Sequence, residues 1–403
     1  MEDARIRREG EYGGIGITTY YTKEGIIIER VMQGYAADKA GLKAGDIIFD
    51  VNGSDIKGYE EDQLFNLLKG TPNTALKLKA DRAGEILDFN LTLDKIIRNP
   101  VPFFEMINED TGYIILTKFT NGKATTEVKN AFEVLKGKGM KKLVFDLRSN
   151  PGGSLYDAVN ITNLFIPKGK KVVDTRGKTK KNTKIYNTKN EPLDIEMPIV
   201  VLINDRSASA SEIVSGALQD YDRAVIMGER SFGKGLVQRY FNLNYGTQMK
   251  ATISKYYIPS GRCIQEKDYA NRDLKTGEVP LFSDGIVNEF KTENGRKVLD
   301  GGGVLPDVKL AISKKTNATK ELLKSKAIFN YVTAFVRKQK AVNLDTFIFS
   351  EANFEDFKTY LLKEDITFVS EQEKLFTEAF ESEENNNEII NDYNNLELAL
   401  KAK

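Results

Sequence analysis

Short runs of alternating apolar and polar residues fill the first hundred positions. Gly14-Ile-Gly-Ile-Thr-Thr-Tyr, Gly25-Ile-Ile-Ile-Glu-Arg-Val, Asp46-Ile-Ile-Phe-Asp-Val, Leu76-Lys-Leu-Lys-Ala and Leu87-Asp-Phe-Asn-Leu-Thr-Leu all follow this rhythm. It is the period at which successive side chains leave opposite faces of a strand. Asn52-Gly53 and Gly84 punctuate the runs with turns. Between them, Leu64, Phe65, Leu67 and Leu68 form an apolar stripe that predicts a short helix over residues 59–68. Residues 11–95 therefore read as a small β-rich module, preceded by a lead-in over 1–10.

Beyond residue 96 the period changes. Residues 112–119 and 142–147 predict strands, the second one buried because Leu143-Val-Phe-Asp-Leu is nearly continuous apolar sequence. A helix over 125–135 separates them. Pro198-Ile-Val-Val-Leu-Ile predicts another buried strand, followed by a helix over 210–220 and a strand over 224–227. Strand–helix–strand repetition argues an α/β core over 96–312. Residues 170–195, rich in Lys, Thr and Asn, predict an exposed excursion. From 313 to 403 the pattern turns helical and polar, with Leu322-Leu, Phe329, Val332, Phe335-Val and Leu361-Leu as its apolar positions, and residues 383–387 form a polar run that frays or links helices. The fold class is multidomain α+β.

Composition narrows the chemistry. The 403 residues suffice for two or three domains, and 59 basic against 58 acidic residues give no global pull toward nucleic acid or anionic membrane. No apolar run approaches the ~20 residues of a membrane helix. Met1 is followed by Glu-Asp-Ala-Arg rather than a signal peptide, so the protein is either cytosolic or numbered from inside a longer precursor. There is no histidine at all, which removes every His-based triad, shuttle and metal ligand; a Lys, Tyr, Asp or Glu must carry any acid–base work. The lone Cys263 excludes an internal disulfide and Cys-clustered metal sites.

In the small module, Gly14-Ile15-Gly16-Ile17 opens the first strand. The two glycines let successive N–H groups turn toward one point, as a carboxylate site requires, or they simply make a turn. A peptide added beside residues 16–20 would rest its last side chain on Ile15, Ile17 and the Leu64/Leu68 face. In the larger region, Asn204-Asp-Arg-Ser-Ala-Ser-Ala-Ser-Glu-Ile-Val passes from a buried strand into a helix. Such a turn exposes a serine hydroxyl at a sheet edge, while Ser209 and Glu212 also match the S-x-x-E of a capping box. A serine nucleophile without histidine can use a lysine made neutral by burial. Lys234 stands in the apolar run Ser231-Phe-Gly-Lys-Gly-Leu-Val-Gln, either as such a base or snorkelling, and Gln238 could orient its amine. In Asp146-Leu-Arg-Ser-Asn-Pro-Gly-Gly, Gly152 and Gly153 make a turn that could offer N–H groups to an oxyanion.

Two resemblances follow from these motifs. Ala40-Gly-Leu-Lys-Ala-Gly-Asp-Ile-Ile-Phe-Asp-Val-Asn-Gly resembles PDZ domains of the bacterial protease type. The Asp146 and Ser207 stretches, with Gly216-Ala-Leu-Gln-Asp, Gly228-Glu-Arg-Ser-Phe-Gly-Lys-Gly-Leu-Val-Gln and Lys255-Tyr-Tyr-Ile-Pro-Ser-Gly-Arg, resemble the C-terminal processing (tail-specific) serine proteases. That resemblance covers residues 11–312. It implies a crotonase/ClpP-like α/β protease core and a Ser-Lys dyad: Ser209 as nucleophile, Lys234 as general base 25 positions later, and Gln238, four further on, positioning the lysine. The oxyanion hole would be the Ala210 N–H with that of Gly152 or Gly153. It further implies polypeptide substrates with accessible C-terminal tails, no cofactor or metal, no nucleic-acid partner, an extracytoplasmic location in the periplasm or cell envelope, and room for a homo-oligomer. Relatives usually carry a helical segment before the PDZ domain, which this numbering lacks, and the role of 313–403 does not carry over.

Rival readings are weaker. Ser231-Phe-Gly-Lys234 mimics the S-x-x-K of penicillin-binding enzymes, with Lys275-Thr-Gly277 and Ser283-Asp-Gly285 as would-be accessories. Gly233 and Gly235 argue against the helix that motif needs, and the accessories come in the wrong order. A PDZ scaffold with an inert core is contradicted by the presence of serine, lysine and glutamine together. A crotonase-like acyl-CoA enzyme would leave the PDZ module unexplained.

Overall fold

The computed structural model describes residues 11–64, 66–97, 99–120, 122–282, 287–310, 315–339, 343 and 346–364. The lead-in over 1–10, Phe65, the Ser283-Asp-Gly285 motif and the polar run at 383–387 lie outside the described residues. The chain divides into two compact units, one of Met1–Glu11 with Ile97–Ile312, the other of Tyr12–Ile96 with Ser313–Lys403.

The small module has β1 (Glu11–Gly14), β2 (Ile17–Thr22), β3 (Gly25–Val31), β4 (Ile47–Val51), β5 (Ser54–Asp55), β6 (Ala75–Arg82), β7 (Glu85–Thr92) and β8 (Asp94–Ile97). An antiparallel sheet runs in the order β2-β3-β4-β6-β7, β5 pairs with β4, and β1 pairs with β8. The alternation seen in sequence is the alternation of burial: Leu76, Leu78 and Ala80 of β6 turn inward while Lys77 and Lys79 turn out. Two short helices, α1 (Ala36–Lys39) and α2 (Glu61–Leu64), close the core. The helix expected over 59–68 is thus one turn followed by a non-helical turn, yet Leu64 and Leu68 both still pack inside.

In the larger unit β9 (Phe103–Met106), β10 (Thr111–Ile115), β11 (Lys142–Asp146), β14 (Ile199–Ile203), β15 (Val225–Gly228) and β20 (Val308–Lys309) form one sheet in the order β20-β15-β14-β11-β10-β9. All neighbours are parallel except the β9 edge. A parallel sheet covered on both faces explains the continuous apolar runs. The helices α3 (Lys123–Gly137), α4 (Leu155–Asn163) and α5 (Ala210–Asp220) bury Phe132, Ile161, Val214 and Leu218 in the same core as Phe145 and Val201.

A second sheet runs β13-β12-β17-β16, from β12 (Lys171–Arg176), β13 (Lys184–Asn187), β16 (Leu236–Asn242) and β17 (Gln248–Tyr257). The expected exposed excursion at 170–195 is corrected at its start, where Val172 and Val173 are fully buried in β12, while residues 176–187 are half-buried or exposed as expected. Two adjacent valines in polar sequence were enough to make a core strand. A small hairpin pairs β18 (Glu289–Lys291) with β19 (Lys297–Leu299).

The helices α6 (Asn317–Lys324), α7 (Ala327–Lys338) and α8 (Glu351–Lys363) belong to the compact unit of the small module. Phe329 of α7 meets the Tyr20 ring edge-on at 5.8 Å, and the Tyr20 hydroxyl donates to Asn330 Oδ1 at 2.9 Å. Lys326 pairs with Glu29 at 2.8 Å, and Arg337 with the buried Asp46 at 3.4 Å. The sequence pattern gave no sign of this docking.

Candidate functional site

Strands β11 and β14 are parallel neighbours, so the loops after both emerge at the same end of the sheet. One loop is 147–153, the other 204–209. Ala208 donates its N–H to the Asn150 carbonyl at 2.9 Å, and Ser207 Oγ donates to the Leu147 carbonyl at 2.8 Å. Asn150, fully buried, is the peg of this junction. Its side chain accepts the Gly152 N–H at 2.9 Å and donates to the Leu116 carbonyl at 2.7 Å.

Three serines lie in the second loop and the first turn of α5, and burial separates them. Ser207 and Ser211 are fully buried, the latter donating to the Asn150 carbonyl at 2.9 Å. Ser209 alone keeps solvent access. It caps α5 with φ 57° and ψ −112°, a conformation few non-glycine residues adopt. That strain turns its side chain out of the strand-to-helix corner, as a nucleophile elbow does. Glu212 returns to it as the sequence suggested, accepting the Ser209 N–H at 2.7 Å on Oε2.

Gly152 lies against this corner. A β-carbon there would come within 2.6 Å of the Ala208 carbonyl oxygen and 2.8 Å of Ala210 N, so only glycine fits. Its own N–H is occupied by Asn150. The N–H groups of Gly153 and Ala210 have no acceptor among the described residues.

Residues 231–235 lie outside any strand, with Gly233 at φ 81°, and their burial alternates. Ser231, Gly233 and Gly235 face inward, while Phe232 and Lys234 face outward. The apolar sequence around Lys234 therefore does not bury it, which corrects the expectation of a buried amine. Only the flanking glycines lie against the protein, where a β-carbon on Gly233 would meet Glu266 at 2.5 Å. Lys234 instead lines a cavity of about 930 Å³ together with Gln238, Ala208, Phe232, Leu236 and Phe282. Gln238 is exposed on β16 opposite Thr252.

The inward side of this segment meets residues the motif reading left without a role. Glu212 is fully buried and accepts four hydrogen bonds, from Ser209 N–H, Lys234 N–H (2.9 Å), Gly233 N–H (2.7 Å) and Ser231 Oγ–H (2.6 Å). Burial pushes its carboxyl up to about 7 despite these donors. Tyr256, buried in β17, donates its hydroxyl to the Lys234 carbonyl. Burial holds its phenol well above the usual value, and the neighbouring Glu212 adds to this. A capping glutamate is visible in sequence as S-x-x-E, but nothing local marks it, or Tyr256, as part of a site.

In the small module, Gly14 ends β1, Gly16 sits at φ 80° pressed on Tyr35, and Ile17 begins β2, the edge strand of its sheet. Ile15, Leu64 and Leu68 come together in one buried cluster, with Ile17 half-buried at its margin.

Comparisons with known proteins bear on the whole arrangement. Residues 110–275 match the model of peptidase family S41, residues 4–80 that of the PDZ domain, and residues 318–403 that of the C-terminal helical domain of probable PDZ-proteases. A Staphylococcus aureus protein named probable CtpA-like serine protease is 34% identical over 337 residues, covering 82% of this chain and 66% of the relative. A carboxy-terminal-processing protease of Bartonella bacilliformis is 37% identical over 270 residues, covering 66% of this chain and 61% of its own length. The chain thus spans a little under two thirds of the curated relatives it matches. Among solved structures, the photosystem II D1 C-terminal processing protease aligns over 76% of this chain and 74% of its own, at 27% identity and a TM-score of 0.42. The chain belongs to peptidase family S41, and carries that peptidase domain between a PDZ domain and a C-terminal helical domain.

Proposed function

We propose that this chain is a serine endopeptidase that captures the C-terminal tails of other polypeptides through its PDZ domain and cleaves them with Ser209 and Lys234. One observation carries the reading. Of Ser207, Ser209 and Ser211, where the turn after β14 enters α5, only Ser209 is accessible, and its N–H shares a carboxylate oxygen with the N–H of Lys234.

In this mechanism Ser209 Oγ attacks the scissile carbonyl while the Lys234 amine takes its proton. The oxyanion is held by the Ala210 and Gly153 N–H groups; Gly152 is excluded because Asn150 occupies its N–H. The lysine returns the proton to the leaving amine as the C–N bond breaks. Water then loses a proton to the same lysine and attacks the acyl-enzyme; as the acyl C–O bond breaks, the lysine returns that proton to Ser209 Oγ. Since Lys234 lines an open cavity, a polypeptide filling that space would exclude water from the amine and favour its neutral form. Gln238, on the same wall, orients it.

The PDZ reading rests on the β2 edge, where a peptide can add as a further strand. An extracytoplasmic location is proposed from the family resemblance; among the described residues, no helix is long and apolar enough to cross a membrane. The decisive test incubates the protein and Ser209→Ala with an unfolded protein ending in apolar residues and maps the products by mass. Cleavage that disappears in the variant supports the reading; equal cleavage by both overturns it. Chelators should leave the activity intact. Tail binding without turnover would favour the scaffold alternative.

A further inference from the structure

Two buried polar groups that the proposed chemistry leaves unused join the corner of Ser209 to the segment of Lys234. The Glu212 carboxylate holds the Ser209 and Lys234 N–H groups on Oε2, and the Gly233 N–H and Ser231 hydroxyl on Oε1. The Tyr256 hydroxyl donates to the Lys234 carbonyl. Lys234 is therefore held at both its N–H and its carbonyl, and the carboxylate that takes its N–H also holds the N–H of Ser209.

The local folding problem does not by itself require this arrangement. Residues 231–235 belong to no sheet, so their buried N–H groups need acceptors. A neighbouring strand would supply them at lower cost than a fully buried carboxylate. What the carboxylate adds is a rigid link to the N-terminus of α5, whose first residue follows Ser209. Tyr256 likewise spends a buried hydroxyl on one carbonyl. Because Lys234 faces the cavity, its amine reaches Ser209 only if its backbone stands in the right place.

We propose that Glu212 and Tyr256 are positioning residues for the Ser209–Lys234 pair, acting on the lysine through its backbone rather than its amine. This rests on the assignment of Ser209 and Lys234 to the chemistry. A role confined to stability would lower the amount of folded enzyme and leave the turnover of folded molecules unchanged.

The test compares Tyr256→Phe, Glu212→Gln, Lys234→Ala and the Tyr256→Phe/Lys234→Ala double variant in the full chain. It measures kcat and KM on a denatured protein substrate, and the rate of Ser209 labelling by a fluorophosphonate. Circular dichroism reports folding. Tyr256→Phe keeps the ring and should fold. We expect its kcat to fall roughly 10- to 100-fold, the scale of an ångström-level misplacement, with KM within about twofold. In the Lys234→Ala background the same change should slow labelling no further, because the group it positions is gone. Unchanged kcat in folded Tyr256→Phe, a change in KM alone, or an equal further loss in the double variant would overturn the proposal. If Glu212→Gln does not fold, Tyr256→Phe still decides. Failure of the underlying assignment looks different, since Ser209→Ala or Lys234→Ala would then remain active.

Discussion

Gly152 and Ser209 are in contact so close that a β-carbon on the glycine would lie 2.8 Å from the Cβ of the serine. The two residues come from loops after neighbouring parallel strands, and the glycine has φ 92°. Gly152→Ala must therefore both strain its own backbone, at about 1–3 kcal/mol, and push the Ser209 corner away. We expect a folded protein of lower Tm, with fluorophosphonate labelling of Ser209 slowed at least ~100-fold. Labelling at the wild-type rate would show that the corner tolerates displacement.

Acidity should act through Glu212 in two opposed directions. Folding raises the carboxyl from 4.5 to about 7, so the folded state binds its proton more tightly than the unfolded chain. Its contribution to stability is full below about 4.5 and is lost as the pH rises through about 7. Activity should run the other way. A protonated Glu212 turns one of its acceptor sites into a donor, while four donors from Ser209, Ser231, Gly233 and Lys234 already point at it. Turnover is expected to rise between pH 6 and 8 while Tm declines, with no imidazole anywhere in the chain to confuse the profile. In Glu212→Gln the Tm component should flatten.

The ion pair of Arg262 and Asp220, at 2.9 Å with both side chains essentially inaccessible, anchors the segment after β17 to the end of α5. Gln219 Oε1 accepts a second bond from the same guanidinium at 2.6 Å. Removing one partner leaves the other charge buried and unpaired. Asp220→Ala should cost about 3–5 kcal/mol in a denaturant titration, whereas an exposed pair such as Lys129–Glu133 should cost under ~1 kcal/mol.

Tyr20 of the PDZ domain meets α7 through both its ring and its hydroxyl. Tyr20→Ala removes the edge-on ring contact with Phe329 and the hydrogen bond to Asn330. Amide exchange across Ala327–Lys338 should then accelerate, while exchange in the parallel sheet of the peptidase core stays as it was. Unchanged protection of α7 would mean that the Lys326–Glu29 and Arg337–Asp46 pairs hold the helix alone.

Strands were the most legible part of the chain. Alternation is a property of successive residues, so Leu76, Leu78 and Ala80 announce their shared face without knowledge of the partner strand. Continuous apolar runs announced β11 and β14 in the same way. What misled was composition read as position. Residues 170–195 looked exposed because lysines outnumber apolar residues there, yet Val172 and Val173 place β12 in the core. Pattern reading also passed over α4, although Ser154-Leu-Tyr-Asp157 has the form of a helix start and Ser154 caps the helix by accepting the Asp157 N–H.

For the candidate site, the chain itself carried the chemical types and their order: a serine at a strand-to-helix turn, a lysine between glycines, a glycine pair after a buried strand. Residue identity and spacing are local, and they narrow the choice of nucleophile and base before any fold is known. Only the tertiary structure decided which groups face whom. It turned Lys234 outward because the two flanking glycines, pressed on Glu266 and Gln265, took the inward places. It gave Gly152's N–H to Asn150, and made Glu212 the common acceptor for Ser209 and Lys234. Those are contacts between segments distant in sequence, and hydrogen-bond direction and burial across such segments are set by packing rather than by any pattern along the chain.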